Sequence, residues 1–172
     1  MTFHDRAYMI KALAQAIMAR KEELYELSYS TGATRSDSWI DIEGGAGTLF
    51  SFSSKARREL PNDRILMDGD MEVVSKGGTF VGQHVFTSLQ GVAIHINAFN
   101  FPIWGMLEKL APTLIAGVPA IVKPASATAY LAEACFRVML ETKLLPEGAV
   151  QFIAGSAGNL FDYLTCQDVV LS

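Results

Sequence analysis

Residues able to do chemistry collect at three places in the second half of the chain. Asn100 lies in Asn97-Ala-Phe-Asn100-Phe-Pro102, Lys123 in Ile121-Val-Lys123-Pro124-Ala-Ser126, and a glycine pair in Gly155-Ser-Ala-Gly158. Each stands where a strand-like run gives way to a helix-like one, which is where an open parallel sheet exposes side chains and amides to a ligand. Taken singly, each also has an ordinary reading. An asparagine before Phe-Pro is commonly a turn residue, because its side chain satisfies nearby backbone. A lysine at a strand end is commonly solvated. Gly155 and Gly158 do not make a GxGxxG motif; they permit a tight turn, or leave amides at a helix start free to hold an anion.

The remaining reactive side chains carry less. Cys135 and Cys166 show no CxxC or other ligand spacing, and the three histidines lie far from them in sequence, so no metal site is expected. Both cysteines read as free thiols of a reducing compartment. His95 falls inside a strand-like run and reads as a packed, hydrogen-bonded histidine rather than a base. Asp37, Asp41 and Glu43 read as solvated or helix-capping carboxylates rather than catalytic ones.

The elements that must position these residues follow from hydrophobic period and from breakers. Met9, Leu13, Ile17, Leu24 and Leu27 recur at helical spacing and predict an amphipathic helix over 4–29, broken near Arg20. Thr31-Gly-Ala-Thr stops it, and Ser36 or Asp37 is placed to cap a second helix over 39–60. Gly44, Gly45 and Gly47 weaken that helix by roughly 1 kcal/mol each relative to alanine, which calls for close approach of another helix in compensation. Pro61-Asn-Asp marks a loop; 79–89 and then 91–97 read as strands. Pro102 suits a first helical turn, and Trp104, Leu107, Leu110, Leu114 and Ile115 carry the helix to a stop at Gly117. A short strand over 120–123, a helix over 128–143, a Leu145-Pro-Glu-Gly turn and a strand over 149–154 follow. Gly155 to Gly158 then opens a short helix, and one more strand begins at Val169.

Strand, helix, strand, helix, strand, helix, strand is the order of an α/β, doubly wound parallel, Rossmann-like sheet with its ligand crevice at the carboxyl ends of the strands. It is preceded by helices and a strand arm. The chain divides accordingly into 1–90, the amino-terminal helices and strand region, and 91–172, an incomplete cofactor-binding part.

Composition narrows the class further. The 172 residues are 50% hydrophobic with a formal net charge of -4, enough apolar material for a substantial core. Acidic and basic residues are interspersed, so neither a nucleic-acid stripe nor a polybasic membrane face is present. No apolar run approaches the roughly 20 residues of a membrane-spanning helix. The start lacks a basic segment followed by an apolar one, and the expected location is the cytoplasm.

Taken together the pieces resemble the aldehyde dehydrogenase superfamily. The resemblance rests on Asn100-Phe-Pro after a strand, on Lys109, Pro112 and Ala116-Gly117 along the next helix, and on Val122-Lys123-Pro124. It continues through Leu145-Pro-Glu-Gly and a glycine loop before Asp168-Val-Val, and Arg6, Glu22-Glu23-Leu24 and Thr31-Gly32 extend it over essentially the whole chain. A finer likeness, in Thr31 to Gly45, His95 to Pro102, Trp104 to Pro112 and Gln167-Asp-Val-Val, is to the dehydrogenase domain of bifunctional ring-opening proteins of aerobic phenylacetate degradation. There a hydratase domain that hydrolyses oxepin-CoA follows the dehydrogenase, which oxidises a CoA-linked semialdehyde.

The resemblance implies a mechanism and a cast. A cysteine thiolate attacks the aldehyde, Asn100 matches the family asparagine whose amide meets the developing oxyanion, hydride passes to nicotinamide, and a glutamate-activated water hydrolyses the thioester. Lys123 matches the lysine that bonds the adenosine ribose. Ser126 stands where many NAD-preferring relatives carry a glutamate; loss of that carboxylate favours NADP, with NAD still possible, though Ser126 can equally cap the next helix. Gly155 and Gly158 fall in the cofactor loop. Phe99, Phe101 and Trp104 can line the tunnel, with core packing expected for at least one. The nucleophile and the glutamate are expected beyond Ser172, neither Cys135 nor Cys166 matches the nucleophile, and these 172 residues alone are expected to be inactive. Partners implied are a small-molecule aldehyde, CoA-linked, and further copies of the full-length protein joined through a strand arm to which 79–89 contributes. The dehydrogenase of the benzoyl-CoA epoxide pathway is an alternative of the same class; a non-catalytic cofactor-binding or interaction module is one of another.

Overall fold

A computed structural model describes residues 1–156, 158–163 and 169–171, the last segment as backbone. Two helices open the chain, α1 (Phe3–Ala19) and α2 (Lys21–Tyr29), separated at Arg20 as the hydrophobic period predicts. Thr2 caps α1 by a reciprocal pair with Asp5. The second predicted helix begins earlier than its apolar period does. Thr34, rather than Ser36 or Asp37, caps α3 (Arg35–Trp39), and Asp37 closes the reciprocal pair from the third helical position. One wide π-type turn (Ile40–Gly44) then leads into α4 (Gly45–Glu59).

The compensation for the helix glycines is found at two of the three. A Cβ on Gly45 would lie 3.0 Å from the Cα of Trp104, and one on Gly44 would lie 3.3 Å from its indole ring, whereas Gly47 faces open space. Backbone meets backbone at Gly45, and the indole lies on Gly44, because neither glycine carries a side chain.

An antiparallel ribbon follows, β1 (Leu66–Val73) and β2 (Val81–Phe86). The β2 segment lies inside the predicted 79–89 strand; β1 escaped prediction because Leu-Met-Asp-Gly-Asp-Met-Glu-Val offers weak alternation and a central glycine. The register slips between Asp68 and Glu72, and Gly69 takes the left-handed conformation there. Nearly every residue of the ribbon is exposed.

The remainder is the parallel sheet. β3 (Val92–Ile96), α5 (Pro102–Ala116), β4 (Ala120–Lys123), α6 (Ala129–Glu141), β5 (Val150–Phe152) and β6 (Val169–Leu171) form four parallel strands in the order β5-β4-β3-β6. The chain winds from β3 to β4 to β5 and then returns past β3, so a switch point lies between β3 and β6. The crossover helices α5 and α6 pack on each other, as the right-handed rule for parallel connections of one direction expects. On one sheet face lie Ala93, His95, Ala120 and Val122; Ile94, Ile96, Ile121 and Lys123 alternate onto the other. Among the described residues the second face is less covered towards the carboxyl ends of the strands: Ile94 is buried there, whereas Ile96 is 52% exposed.

The helices α1 and α4 pack outside α5. Ile10, Leu13 and Ile17 from α1, Leu49 from α4, Ile103, Leu107 and Leu110 from α5, and Leu131 and Met139 from α6 are fully buried in one cluster that also takes in the sheet. Each such side chain contributes about 1.5–3 kcal/mol on burial. The far end of α5 is closed by two distant groups. Arg6 Nε donates to the Ile115 carbonyl (2.8 Å) and Ser88 Oγ to that of Ala116 (2.6 Å).

Gly117, directly after those carbonyls, has φ +79°, and a Cβ there would sit 2.8 Å from both an Arg6 guanidinium nitrogen and Ser88 Oγ. Replacing Gly117 by Ala is therefore expected to lower stability by about 1–2 kcal/mol, from left-handed strain and displacement of the Arg6 cap. Denaturant unfolding of the two proteins measures it, and equal midpoints would contradict the assignment.

Candidate functional site

The strand order sets three of the sequence-selected segments side by side. Asn100 follows β3, Lys123 ends β4, and Gly155 follows β5, so the three sit along one carboxyl edge on adjacent strands about 4.8 Å apart.

The Asn100 turn is unusual in its backbone. Phe101, next along, adopts φ 51° and ψ 56°, a left-handed conformation that an aromatic residue holds only against a cost of about 1–2 kcal/mol. Three contacts hold it. Pro102 starts α5 with a fixed φ; Thr128 Oγ1 donates to the Phe99 carbonyl (2.9 Å); and the Asp41 carboxylate accepts the Trp104 backbone N–H (2.7 Å). Asn100 itself is exposed, and its carboxamide forms no hydrogen bond among the described residues. It borders two cavities. One, of about 250 Å³, lies between the turn and the Ser28–Gly32 region and includes Asp37 and Asp41; the other, of about 320 Å³, is walled by Phe101, Trp104, Gly105, Glu108 and Lys109.

Phe101 and Trp104 meet at tilted rings, centroids 6.2 Å apart, and line the second cavity with Asn100. Trp104 also carries the packing role expected of one aromatic, its ring lying on Gly44. Phe99 is 66% exposed and borders only the first cavity of the two.

Lys123 lies on the less covered sheet face and donates to the Pro124 carbonyl at 3.3 Å. Ser126 opens a single 3-10 turn (Ser126–Thr128) before α6 and makes no capping hydrogen bond; its hydroxyl is exposed. The capping alternative therefore has no bond behind it. Gly155 (φ 106°) and Gly158 (φ 55°) both take backbone conformations that side chains avoid, with open space where a Cβ would be, and the Gly158 N–H bonds Ser156 Oγ at 3.1 Å. A 3-10 turn over Leu160–Tyr163 stands where the short helix is predicted. This row of a lysine, an exposed hydroxyl and a glycine loop with open space beside it among the described residues fits a phosphate- and hydroxyl-bearing dinucleotide. The start of α5 does not offer an anion site, because the protein's own carboxylate holds it.

Two of the three carboxylates serve the amino-terminal helices, and the third, Asp41, reaches the start of α5. Asp37 caps α3 with Thr34, and Glu43 takes Lys21 Nζ and the Tyr25 hydroxyl, both at 2.9 Å. Asp41 is only 3% exposed, and burial, opposed by the Trp104 and Ile103 N–H groups, lifts its pKa from 3.8 to about 6. A carboxyl whose folded value lies above its unfolded one favours the fold most when protonated, and that contribution is lost as pH rises from 3.8 through about 6. At neutral pH the ionised group is thus held at a net cost.

His95 is fully buried, bonded through Nε2 to Thr113 Oγ1 (3.1 Å), and burial together with the Lys109 charge lowers its pKa to about 4, leaving it a neutral packed imidazole. Cys135 is also fully buried, and burial followed by the Asp41 charge pushes its thiol upward, away from the thiolate a nucleophile needs. Cys166 and the Gln167-Asp168 pair lie outside the described residues. Of the two readings given for Asp41, it is buried rather than solvated and caps a distant helix, α5; the signal for that partner is the Gly44-Gly45 pair three and four residues on, which marks where another chain segment must come close.

A protein-family model described as the aldehyde dehydrogenase family matches residues 1–170. The 3,4-dehydroadipyl-CoA semialdehyde dehydrogenase of Aromatoleum evansii is 40% identical over 171 residues, 99% of this chain and 33% of that protein. A betaine aldehyde dehydrogenase double mutant from Staphylococcus aureus, solved with NAD+, has a TM-score of 0.78 at 25% identity, over 94% of this chain and 31% of its own. A succinic semialdehyde dehydrogenase from Streptococcus pyogenes, solved with NADP+ as the cofactor, shares the fold at a TM-score of 0.75 and 17% identity, over 98% of this chain and 35% of its own. The chain spans about a third of the length of these relatives.

The buried Cys135 thiol is expected to resist alkylation by iodoacetamide in the native protein and to react once it is denatured. Peptide mass mapping reads the Cys135 peptide separately, and rapid native labelling there would reopen its exclusion as a nucleophile.

Proposed function

The chain belongs to the aldehyde dehydrogenase family, and from that premise we propose that the full-length protein oxidises a CoA-linked semialdehyde to its acid with NADP preferred over NAD. The observation that carries the reading is the Asn100 turn: an unpartnered carboxamide on a braced backbone, at the mouth of an aromatic-walled cavity, beside the row that fits a dinucleotide. Its N–H would donate to an oxygen that gains negative charge as a nucleophile adds to an aldehyde. Such a donor stabilises the charged transition state more than the neutral carbonyl, and so raises turnover rather than binding.

Lys123 would bond the adenosine ribose and Ser126 would leave room for a 2'-phosphate that a carboxylate would repel. Gly155 and Gly158 would let the pyrophosphate approach the backbone. The bound nicotinamide would supply the two-electron acceptor. Support for a CoA-linked semialdehyde comes from the name of the 40% identical relative. We place the reaction in aerobic phenylacetate degradation, with a hydratase domain following the dehydrogenase; the benzoyl-CoA epoxide route shares the same substrate class. The apolar side chains that β1 and β2 expose, among them Met71, Val73, Phe80 and Phe86, suit an arm that joins copies of the full-length protein.

Steady-state oxidation of CoA-linked and free aldehydes by the full-length protein tests the substrate class; free aldehydes turned over as efficiently as CoA-linked ones would overturn it. Asn100→Ala is expected to reduce kcat by about 10²–10³. The Kd for NADP should stay near the wild-type value, and an unchanged kcat would remove the oxyanion role. Ser126→Glu is expected to lower the NADP/NAD ratio of kcat/KM by roughly tenfold through repulsion of the 2'-phosphate. A constant ratio would show that this position does not read the phosphate.

A further inference from the structure

We propose that Asp41 is a positioning residue for Asn100, its carboxylate capping α5 from outside the helix and thereby fixing the left-handed turn from which the Asn100 carboxamide projects. The inference rests on the oxyanion role proposed above.

The start of α5 cannot close itself. Phe101, at the capping position, has no polar side chain; Pro102 has no N–H; and the first intrahelical bond is made only by Gly105, whose N–H reaches the Phe101 carbonyl at 2.8 Å. The Ile103 and Trp104 amides are left over. Asp41, 63 residues before Trp104, supplies the missing acceptor at 2.7 Å from a site that is nearly closed to water. Without it the part-buried Trp104 amide would have no partner, and the cheapest relief is to unwind the first turn, which starts two residues after Asn100.

Two further features place Asp41 there by construction. The π-type turn that carries it is a helix irregularity of the kind that accompanies functional sites, and Gly45 beside it lets the α4 backbone approach the Trp104 Cα to a distance no side chain permits. The group is also a poor stability device. Its pKa is raised to about 6, so ionised Asp41 costs the fold stability at neutral pH, and a neutral amide of the same shape would cost less. A carboxylate held there against its own cost fits a demand of geometry at Asn100 rather than of folding.

The test is a mutant cycle in the full-length enzyme, with Asp41→Ala, Asp41→Asn, Asn100→Ala and the double variants. Asp41→Ala is expected to lower kcat about tenfold or more by misplacing the donor, with KM for NADP unchanged. In the Asn100→Ala background the same change should alter kcat by less than about twofold, because the group it positions is gone. Asp41→Asn, whose side-chain oxygen still accepts from Trp104, should recover part of kcat and melt no lower than wild type at neutral pH. Wild-type kcat in Asp41→Ala, or equal losses in both backgrounds, overturns the proposal while a loss in Asn100→Ala leaves the oxyanion role standing. A wild-type enzyme that oxidises aldehydes with neither NADP nor NAD, or an Asn100→Ala variant with full turnover, removes that role itself. If Asp41→Ala does not fold, Asp41→Asn carries the same cycle: a loss that vanishes in the Asn100→Ala background supports the proposal, and a lower melting point with unchanged kcat overturns it.

Discussion

A helix that begins with proline, after an aromatic residue in a left-handed conformation, has no local means of satisfying its first amides. What shapes the Asn100 turn in this chain answers that constraint at the start of α5. The carboxylate of Asp41 answers it with a hydrogen bond across 63 residues, and Gly45 answers it by letting two backbones touch. Thr128 braces the same turn from a third direction through the Phe99 carbonyl. A conformation that costs energy persists where surrounding structure over-determines it, and such places tend to be functional. Here the residue so held stands next to the one carboxamide that faces both cavities.

The same interaction decides where an anion can bind. Helix starts at the carboxyl edge of a parallel sheet ordinarily attract phosphates, through free amides and the positive end of the helix dipole. At α5 the protein's own carboxylate occupies that position. The glycine loop after β5 remains open, two strands away from Asn100 in the order β5-β4-β3. A dinucleotide laid along this edge would thus meet the glycine loop, then Lys123 and Ser126, then the Asn100 turn. The parallel order β5-β4-β3 arranges them, and the helices of its two crossovers, α5 and α6, pack together.

Much of the fold was legible from local pattern. The break at Arg20, the α5 stop at Gly117, the short strand ending in Lys123 and the turn at Leu145 all follow from period and breaker residues whose effects act within a few positions. The β1 strand was not legible, because a ribbon exposed on both faces imposes no alternation on its sequence. Thr34 was overlooked as a cap because the first turn of α3 is polar and precedes the apolar period that announced the helix. The buried carboxylate looked like its neighbours: nothing in Trp-Ile-Asp-Ile-Glu distinguishes Asp41, which is buried, from Glu43, which meets Lys21 and Tyr25 near the surface.

By itself the sequence determined which residues stand at strand ends, and by resemblance which of them correspond to an oxyanion donor and a ribose-binding lysine, since strand, turn and helix signals are written in adjacent side chains. The tertiary structure decided what those signals leave open: that Asn100, Lys123 and Gly155 share one edge, that the Ser126 hydroxyl is free of a capping bond, and that Asp41 reaches across to α5. The physical reason is range. Local propensity acts over one turn of chain, whereas strand order, burial and the pairing of a distant carboxylate with a helix start depend on which segments the core brings together.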